Sequence, residues 1–295
     1  MNKKITFSLI AGILLLIIAG IFWWQAKEKD IPQPEQPAAS KPKKRLSAPE
    51  NVLPLSERPQ VSLQPFSEAG GRFVSIQVER IPQQSSGAEY EIVYDVDDVA
   101  AVSASGAKIK VPESEREGGQ QAFMGELDLS SLPTKTKNRF GTCSAGGACI
   151  NHLVKQGQLL INFASNTPYA VSSAWFYFQT GQQILSIEPL GLTLESKTFQ
   201  NSQDYLLMQA MGLPAGLSGE VVMLPDTISK DGGSRPLAWQ LKFTTSPENG
   251  VMTVTLPKEY AGSKLMFYDG KSWQQVIDLS QTPLSDGYFY AVLAN

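Results

Sequence analysis

The chain has 295 residues, and 25 Lys and Arg against 28 Asp and Glu give it a formal net charge of −3. Both signs are interspersed, which argues against a nucleic-acid-binding protein, because such proteins concentrate basic residues on one face. Two cysteines and one histidine are too few for a metal site with soft ligands. Since no cofactor-binding motif occurs either, we expect no cofactor.

The first element is the uncharged apolar run 5–24, which is flanked by lysines. A transmembrane helix needs roughly 20 apolar residues, and Trp23 and Trp24 close the run, where aromatic rings favour the headgroup region. We predict an uncleaved single-pass anchor over residues 5–25, embedded in the lipid bilayer. The alternative is a cleaved signal peptide, whose apolar core usually runs for only about 7–15 residues and ends in a small-residue cleavage site.

Residues 1–4 form the predicted cytoplasmic tail, because Lys3 and Lys4 precede the run and basic residues tend to stay inside. Lys27 and Lys29 follow the run, so charge counting alone does not fix the orientation. Long domains translocate largely regardless of flanking charge. We therefore predict a cell-membrane protein whose C-terminal part is extracytoplasmic.

Residues 26–71 form a predicted proline-rich linker, with eight prolines between Pro32 and Pro65. Proline lacks an amide donor and fixes φ, so we expect an extended, disordered segment outside any helix or strand ladder. Four basic side chains cluster within the linker, namely Lys41, Lys43, Lys44 and Arg45. Each contributes ~1 kcal/mol near an anionic surface, which makes them a candidate contact with anionic lipid or an anionic envelope polymer. The alternative is a solvated charge run.

Residues 72–182 are predicted to form a first β-rich module. Apolar and polar residues alternate in 74–79 and in 90–96, as in strands with one buried face, and the loop between them predicts a hairpin. Segment 170–179 is apolar on both faces, which indicates a central strand covered on both sides. Further predicted strands are 107–111, 122–129 and 158–164.

Residues 183–295 are predicted to form a second β-rich module. Its predicted strands are 190–198, 205–211, 219–224, 238–245, 251–256, 264–268, 272–279 and 288–294. Segment 202–208 fits both a strand and a short helix capped by Ser202, and we favour the strand.

Asn-Gly or Asp-Gly pairs occur at 249–250, 269–270 and 286–287. Such pairs supply the positive φ that tight hairpin turns need. They therefore predict hairpins, most clearly over 265–277.

Short strands with frequent turns are the pattern of a β-sandwich. We predict a mainly β fold in which two tandem β-sandwich modules follow the transmembrane helix and the linker. The second module resembles immunoglobulin-like or fibronectin type III-like domains in this architectural sense, although it lacks the Cys–Trp–Cys spacing of antibody domains. The two segments can alternatively share one larger core.

Segment 138–152 holds both cysteines and the only histidine. Five small residues separate Cys143 from Cys149, so their Cα atoms can approach the ~5.5 Å of a disulfide. In an oxidising compartment a disulfide is the expected state of an isolated pair. The alternatives are a regulatory dithiol and a catalytic site in which Cys149 is the nucleophile and His152 its base.

Two further groups are candidate ligand sites. The first is a set of carboxylates in a predicted loop, namely Asp95, Asp97 and Asp98. Calcium needs several convergent oxygens of this kind, and a solvated loop is the alternative. The second is Trp273 with Tyr268, a candidate ligand-binding surface because sugars stack on exposed rings, whereas Trp175 is expected to fill the core.

The sequence thus predicts a non-enzymatic envelope protein that displays β modules for binding or scaffolding, with a protein or glycan as ligand. One alternative is an extracytoplasmic enzyme that uses Cys149 and His152. Another is a carbohydrate-binding module that uses Trp273.

Overall fold

The computed structural model describes residues 53–68, 71–81, 85, 87–102, 108–109, 119–130, 132–143, 149–165, 169–179, 181–201, 204–225, 234–247 and 250–294. The predicted tail, the anchor and the linker up to residue 52 lie outside these ranges and stay predictions. Within the described ranges, no helix is long and apolar enough to cross a membrane.

The described residues form a mainly β fold with several antiparallel sheets, as predicted. The strands are β1 (Gln60–Glu68), β2 (Gly71–Arg80), β3 (Gly87–Val102), β4 (Lys108–Ile109), β5 (Gly119–Asp128), β6 (Thr134–Lys135), β7 (Asn138–Arg139), β8 (Gly141–Cys143), β9 (Cys149–Ala164), β10 (Tyr169–Phe178), β11 (Ile184–Ile187), β12 (Leu192–Glu195), β13 (Tyr205–Gln209), β14 (Met223–Pro225), β15 (Ser234–Pro236), β16 (Ala238–Phe243), β17 (Gly250–Thr255), β18 (Lys264–Tyr268), β19 (Trp273–Gln275), β20 (Thr282–Leu284) and β21 (Phe289–Leu293). A short helix, α1 (Lys197–Asn201), follows β12. Single 3₁₀ turns lie at Leu55–Glu57, Glu188–Leu190, Lys258–Tyr260 and Leu279–Gln281.

A central sheet runs through both predicted modules in the order β19-β18-β21-β16-β13-β10-β9-β3-β4, with β5 paired to β3 and β8 paired to β9. The two segments join where β10 pairs with β13, from Trp175↔Met208 to Phe178↔Tyr205. Residues 46–295 group into one compact unit. Whether 72–182 and 183–295 act as separate modules stays a prediction.

Two small sheets cover opposite faces of the central sheet. The sheet of β1, β2, β6 and β7 covers what we call the first face, and the sheet of β11, β12, β17 and β20 covers the second face. Trp175 and Tyr177 of β10 lie in the first core, between the central sheet and β1–β2, whereas Phe176 lies in the second core. Successive strand residues point to opposite faces, so β10 is a central strand covered on both sides, as predicted.

The N-terminal strand corrects the predicted linker. β1 is a nine-residue strand inside the segment 26–71, and its Val61 and Leu63 are buried in the first core. The expectation that proline keeps this segment out of a ladder is wrong here. β1 is an edge strand, and Pro65 is tolerated because an edge position need not donate an amide hydrogen bond.

The predicted hairpin between 74–79 and 90–96 is wrong, because β2 belongs to a small sheet and β3 to the central sheet. Both strands bury one face in the first core, with Ile76 and Ile92 among its residues. Alternation is the same whether two strands pair edge to edge or face each other across a core, so the pattern did not distinguish the two arrangements.

The predicted hairpin over 265–277 is confirmed, since β18 and β19 pair from Met266↔Gln275 to Tyr268↔Trp273 and Gly270 has a φ of 93°. Gly287 also has a positive φ of 78°, but its turn connects β20 and β21, which lie in different sheets.

The ambiguous segment 202–208 contains the start of β13, so the favoured strand is confirmed. The predicted strand 190–198 is shorter than expected, because β12 ends at Glu195 and α1 begins at Lys197.

Candidate binding cleft

Cys143 and Cys149 are opposed residues of β8 and β9. They form a disulfide with Cα atoms 4.0 Å apart, so the prediction of a disulfide-capable pair is confirmed. His152 lies three residues after Cys149 in β9, and strand alternation points the two side chains to opposite faces. A bonded sulfur is not the thiolate that a nucleophile requires. The structure therefore does not bring Cys149 and His152 together as nucleophile and base.

His152 instead belongs to an aromatic cluster at the edge of the first core. Its Nδ1 lies 3.0 Å from the hydroxyl oxygen of Tyr94, and the rings of Tyr94 and Phe140 pack edge to face at 5.1 Å. Burial lowers the pKa of His152 and raises the pKa of Tyr94 to about 12. Both side chains are neutral near pH 7, which suits a packing role.

Tyr268 and Trp273 face each other across the β18–β19 hairpin, with ring centroids 5.4 Å apart. Both pack, partly buried, against a third small core, which consists of Ala210, Leu213, Ala238, Phe289 and Ala291. Trp273 Nε1 donates a hydrogen bond to the Pro214 carbonyl at 3.2 Å. The ring pair is thus part of a packed hairpin, and its role as a ligand-binding surface stays a prediction. Trp175 is fully buried, as predicted.

Asp95 lies in β3, which continues to Val102 where a loop was predicted. Gln156 Nε2 donates to Asp95 Oδ2 at 3.4 Å. The side chains of Asp97 and Asp98 lie outside the described set. Among the side chains that are described, no group of three or more His, Cys, Asp or Glu could hold a metal ion.

A cleft of about 480 Å³ lies between the second small sheet and the strands β9 and β10. Its lining includes Gln156 of β9, Phe176 and Phe178 of β10, and Ile184 and Ser186 of β11. The volume falls within the range of roughly 300–1,000 Å³ that is usual for ligand sites. The cleft therefore has the size and the mixed apolar and polar lining of a binding site.

One wall of the cleft is the strand β11. Its Leu185 and Ile187 are buried in the second core, whereas Ile184 is 55% exposed. In the described part of the chain β11 pairs with β12 alone, so its outer edge has no strand partner there. An edge of this kind offers backbone donors and acceptors to an incoming strand.

The floor of the cleft is apolar. Phe176 packs in the second core, and the ring of Phe178 stacks on Tyr205 with centroids 5.5 Å apart. These rings provide a surface on which an apolar side chain of a ligand can be buried.

A polar network behind the floor fixes β10 in place. Tyr177 donates to Asp204 Oδ2 at 2.9 Å, and Arg72 Nε of β2 lies 3.0 Å from the same oxygen. Burial and the negative charge of Asp204 raise the pKa of Tyr177, so its hydroxyl remains a donor at physiological pH. The network joins β2, β10 and the residue before β13.

Beyond the cleft, the second face continues over β9, β3 and β5. The pairing of β5, β3, β9 and β10 gives it the rows Glu126–Glu89–Asn162–Ala170, Met124–Glu91–Leu160–Ser172 and Ala122–Val93–Gln158–Ala174. In the last row Asp95 lies opposite Gln120 and Gln156 lies opposite Phe176, and the Gln156–Asp95 hydrogen bond joins the two pairs. The second core includes no described residue of β3, β5 or β9, and on this face Glu89, Asp95 and Glu126 are exposed whereas Glu91 is buried. The last row runs into the cleft through Gln156 and Phe176.

Sequence reasoning missed the cleft, because its lining comes from separate strands whose approach depends on the packing of the second small sheet. The side of β3 that faces away from the first core had a readable signal in the sequence. Glu89, Glu91 and Asp95 alternate in sequence with apolar residues that turn out to be buried in the first core. That pattern marks the side of β3 that faces away from the first core, although Glu91 on that side is itself buried.

No protein-family model, curated protein or solved structure matches this chain. Function is therefore inferred from the cleft itself.

Proposed function

We propose that the chain is a membrane-anchored, extracytoplasmic envelope protein that binds an extended segment of a partner protein in the cleft and performs no catalysis. The observation that carries this proposal is the free edge of β11 beside a cleft of about 480 Å³. Extended peptides add to such edges through backbone hydrogen bonds, while neighbouring pockets select their side chains.

The lining of the cleft supports a polypeptide ligand. Phe176 and Phe178 form an apolar floor, and each Å² of apolar surface buried there contributes roughly 25 cal/mol. Gln156 and Ser186 bring polar side chains to the same cleft. A peptide combines apolar side chains with backbone polar groups, and this lining can satisfy both.

The wider architecture is part of the proposal. Residues 5–25 serve as the membrane tether, and 72–182 and 183–295 act as two β-sandwich modules, immunoglobulin-like or fibronectin type III-like, that are joined through β10 and β13. The two cores on opposite faces of one sheet support this reading, because each is a pair of sheets packed face to face. Four clustered basic residues of the linker contact anionic lipid or an anionic envelope polymer. These residues are Lys41, Lys43, Lys44 and Arg45.

The orientation has a direct test in intact cells. Protease added from outside should release the β-rich part of the chain, because the linker is exposed on that side. A chain that stays intact until the membrane is breached would show that the fold lies in the cytoplasm.

The binding site can be tested by replacing Ile184 with a photoreactive benzoylphenylalanine in the full chain. Ile184 lies in the wall of the cleft, and Ile277, which is 88% exposed and outside the cleft lining, is the matched control. We expect illumination of cells to give one crosslinked protein from position 184, joined through one segment of its chain, and no such product from position 277. Equal products from both positions, or none from 184, would contradict the proposal.

A further inference from the structure

We infer that the partner segment is anchored by an aromatic residue, whose ring enters the cleft and stacks on Phe178 while the backbone of the segment bonds to the outer edge of β11. The inference rests on the proposed function and adds the class of side chain that the cleft selects.

The first support is the direction of the backbone groups of β11. Ser196 N donates a hydrogen bond to the Gln183 carbonyl at 3.0 Å, and these opposed residues lie one position before the Ile184↔Glu195 pair. Bonded and non-bonded pairs alternate along an antiparallel ladder. The N–H and C=O groups of Ile184 and Ser186 therefore point away from β12, towards the outer edge, where an incoming strand can bond to both residues.

This bonding pattern decides which side chain of the partner enters the cleft. An antiparallel strand that bonds to Ile184 and Ser186 places one residue between them, opposite Leu185. Opposed residues of neighbouring strands point to the same face, and Leu185 is buried in the second core. The partner residue opposite Leu185 therefore points inwards, towards the floor of the cleft, whereas its two neighbours lie on the exposed side with Ile184 and Ser186.

The second support is the aromatic character of the floor. A series of near-parallel rings leads to the cleft, with Phe199 6.4 Å from Phe243, Tyr205 5.2 Å from Phe199 and Phe178 5.5 Å from Tyr205, all at interplanar angles of 16–19°. The first three rings of the series are fully buried. Phe178 is only partly buried and lines the cleft, so a ring of the partner placed on Phe178 continues the series.

Stacking distinguishes an aromatic anchor from an aliphatic one. Parallel, offset rings attract each other beyond what the burial of their apolar area contributes. For one pair this extra attraction corresponds to about two- to tenfold in affinity. The cleft therefore prefers a planar aromatic ring over a saturated side chain of similar size.

The test uses fluorescent peptides and the full chain in detergent micelles, with binding followed by anisotropy. The peptides consist of Ser and Thr and differ only in a central residue, which is phenylalanine, cyclohexylalanine or serine. We expect the phenylalanine peptide to bind about two- to tenfold more tightly than the cyclohexylalanine peptide, and the serine peptide to bind least. Partition into micelles would favour the saturated ring, so it cannot produce this order.

The change Phe178→Leu assigns the preference to the cleft. It keeps an apolar side chain at the floor but removes the ring, so the phenylalanine and cyclohexylalanine peptides should then bind equally. The matched control is Phe66→Leu in β1, because Phe66 is also a partly buried ring that stacks on a neighbour, Phe73, at 5.2 Å, and it lies outside the cleft lining. Phe66→Leu should leave the preference intact.

The outcomes separate this inference from the proposed function. Equal binding of the phenylalanine and cyclohexylalanine peptides to the parent protein overturns the aromatic anchor and leaves the cleft as a peptide site. A preference that survives Phe178→Leu, or that Phe66→Leu also removes, overturns the inference as well. Circular dichroism checks the fold of both variants, and if Phe178→Leu does not fold, the comparison on the parent protein decides. If no peptide binds, both the inference and the proposed function fail.

Discussion

Tyr177 is the residue at which the structure joins two strands of the central sheet to the first small sheet. Its hydroxyl and Arg72 Nε converge on one oxygen of Asp204. A hydrogen bond to a charged group contributes more to stability than a neutral one, about 1.5–3 kcal/mol. The network therefore helps to hold β10, the floor of the cleft, in position.

Replacing Tyr177 by Phe removes this hydrogen bond and keeps the ring. We expect the free energy of unfolding, measured by urea denaturation, to fall by about 1.5–3 kcal/mol. Tyr268→Phe, at a half-buried ring in the β18–β19 hairpin, is the control and should stay within about 0.5 kcal/mol of the parent protein. Equal effects of the two changes would show that the Asp204 network adds nothing.

His152 makes stability depend on pH. Burial lowers its pKa in the folded state, so below the ordinary value of about 6.5 the unfolded chain binds the proton more readily. Folded protein is therefore destabilised as the pH falls from about 7 towards 5. His152→Gln should flatten that part of the curve of unfolding free energy against pH. An unchanged slope would show that His152 is equally accessible in both states.

At the scale of single elements, β9 passes so close to its neighbours that only glycine fits at position 157. A Cβ added to Gly157 would lie 2.2 Å from the Val93 carbonyl oxygen and 2.3 Å from the Trp175 ring. Close packing of β3, β9 and β10 thus depends on this one residue.

Gly157→Ala should lower the free energy of unfolding by about 1–3 kcal/mol, the usual cost of overpacking. The matched control is Gly119→Ala, in the same sheet, where an added Cβ meets nothing within 4 Å and the change should stay within about 0.5 kcal/mol. Thermal or urea denaturation measures both. A harmless Gly157→Ala would mean that the strands have room to separate there.

Particular strands show how much of the fold could be predicted from the sequence. The apolar side chains on both faces of segment 170–179 correctly predicted a central strand that is covered on both sides. The pairing partners of strands were harder to predict, because the alternation in β2 and β3 indicates that one face of each strand is buried but not which strand hydrogen-bonds to it. β1 was missed because proline argues against a strand unless the strand is known to lie at an edge.

For the candidate site, the sequence predicted individual strands but not which of them lie next to each other in the cleft. Ile184 and Phe176 become neighbours of one cleft only when β11 folds over β10, which depends on the whole second core. Trp273 looked like an exposed ring beside a turn, and its contact with the Pro214 carbonyl comes from a distant loop. Long-range packing of this kind cannot be predicted from the local alternation of apolar and polar residues.

For the whole molecule, the shared sheet couples the two cores. Alternate residues of β13 enter both, Leu206 the first core and Leu207 the second. If β13 unfolds, both cores lose the side chains that this strand contributes. We therefore expect the β-rich part of the chain to unfold in one cooperative transition.

Leucine truncations in the two cores test this coupling. Leu63→Ala in the first core and Leu194→Ala in the second, both fully buried, should each cost about 2–5 kcal/mol. Each truncation should shift the same single unfolding transition, and hydrogen exchange measured in β2 and in β17 reports it. Separate transitions, with each truncation affecting only its own core, would instead show two independent modules.

The central claim is that a partner strand adds to the free edge of β11. Hydrogen–deuterium exchange of the full chain, with and without the partner segment identified by crosslinking at position 184, measures this directly. β11 should become protected on binding, whereas β20, at the opposite edge of the same small sheet, should not change. Binding that leaves exchange in β11 unaltered, or that protects both edges equally, would contradict the account.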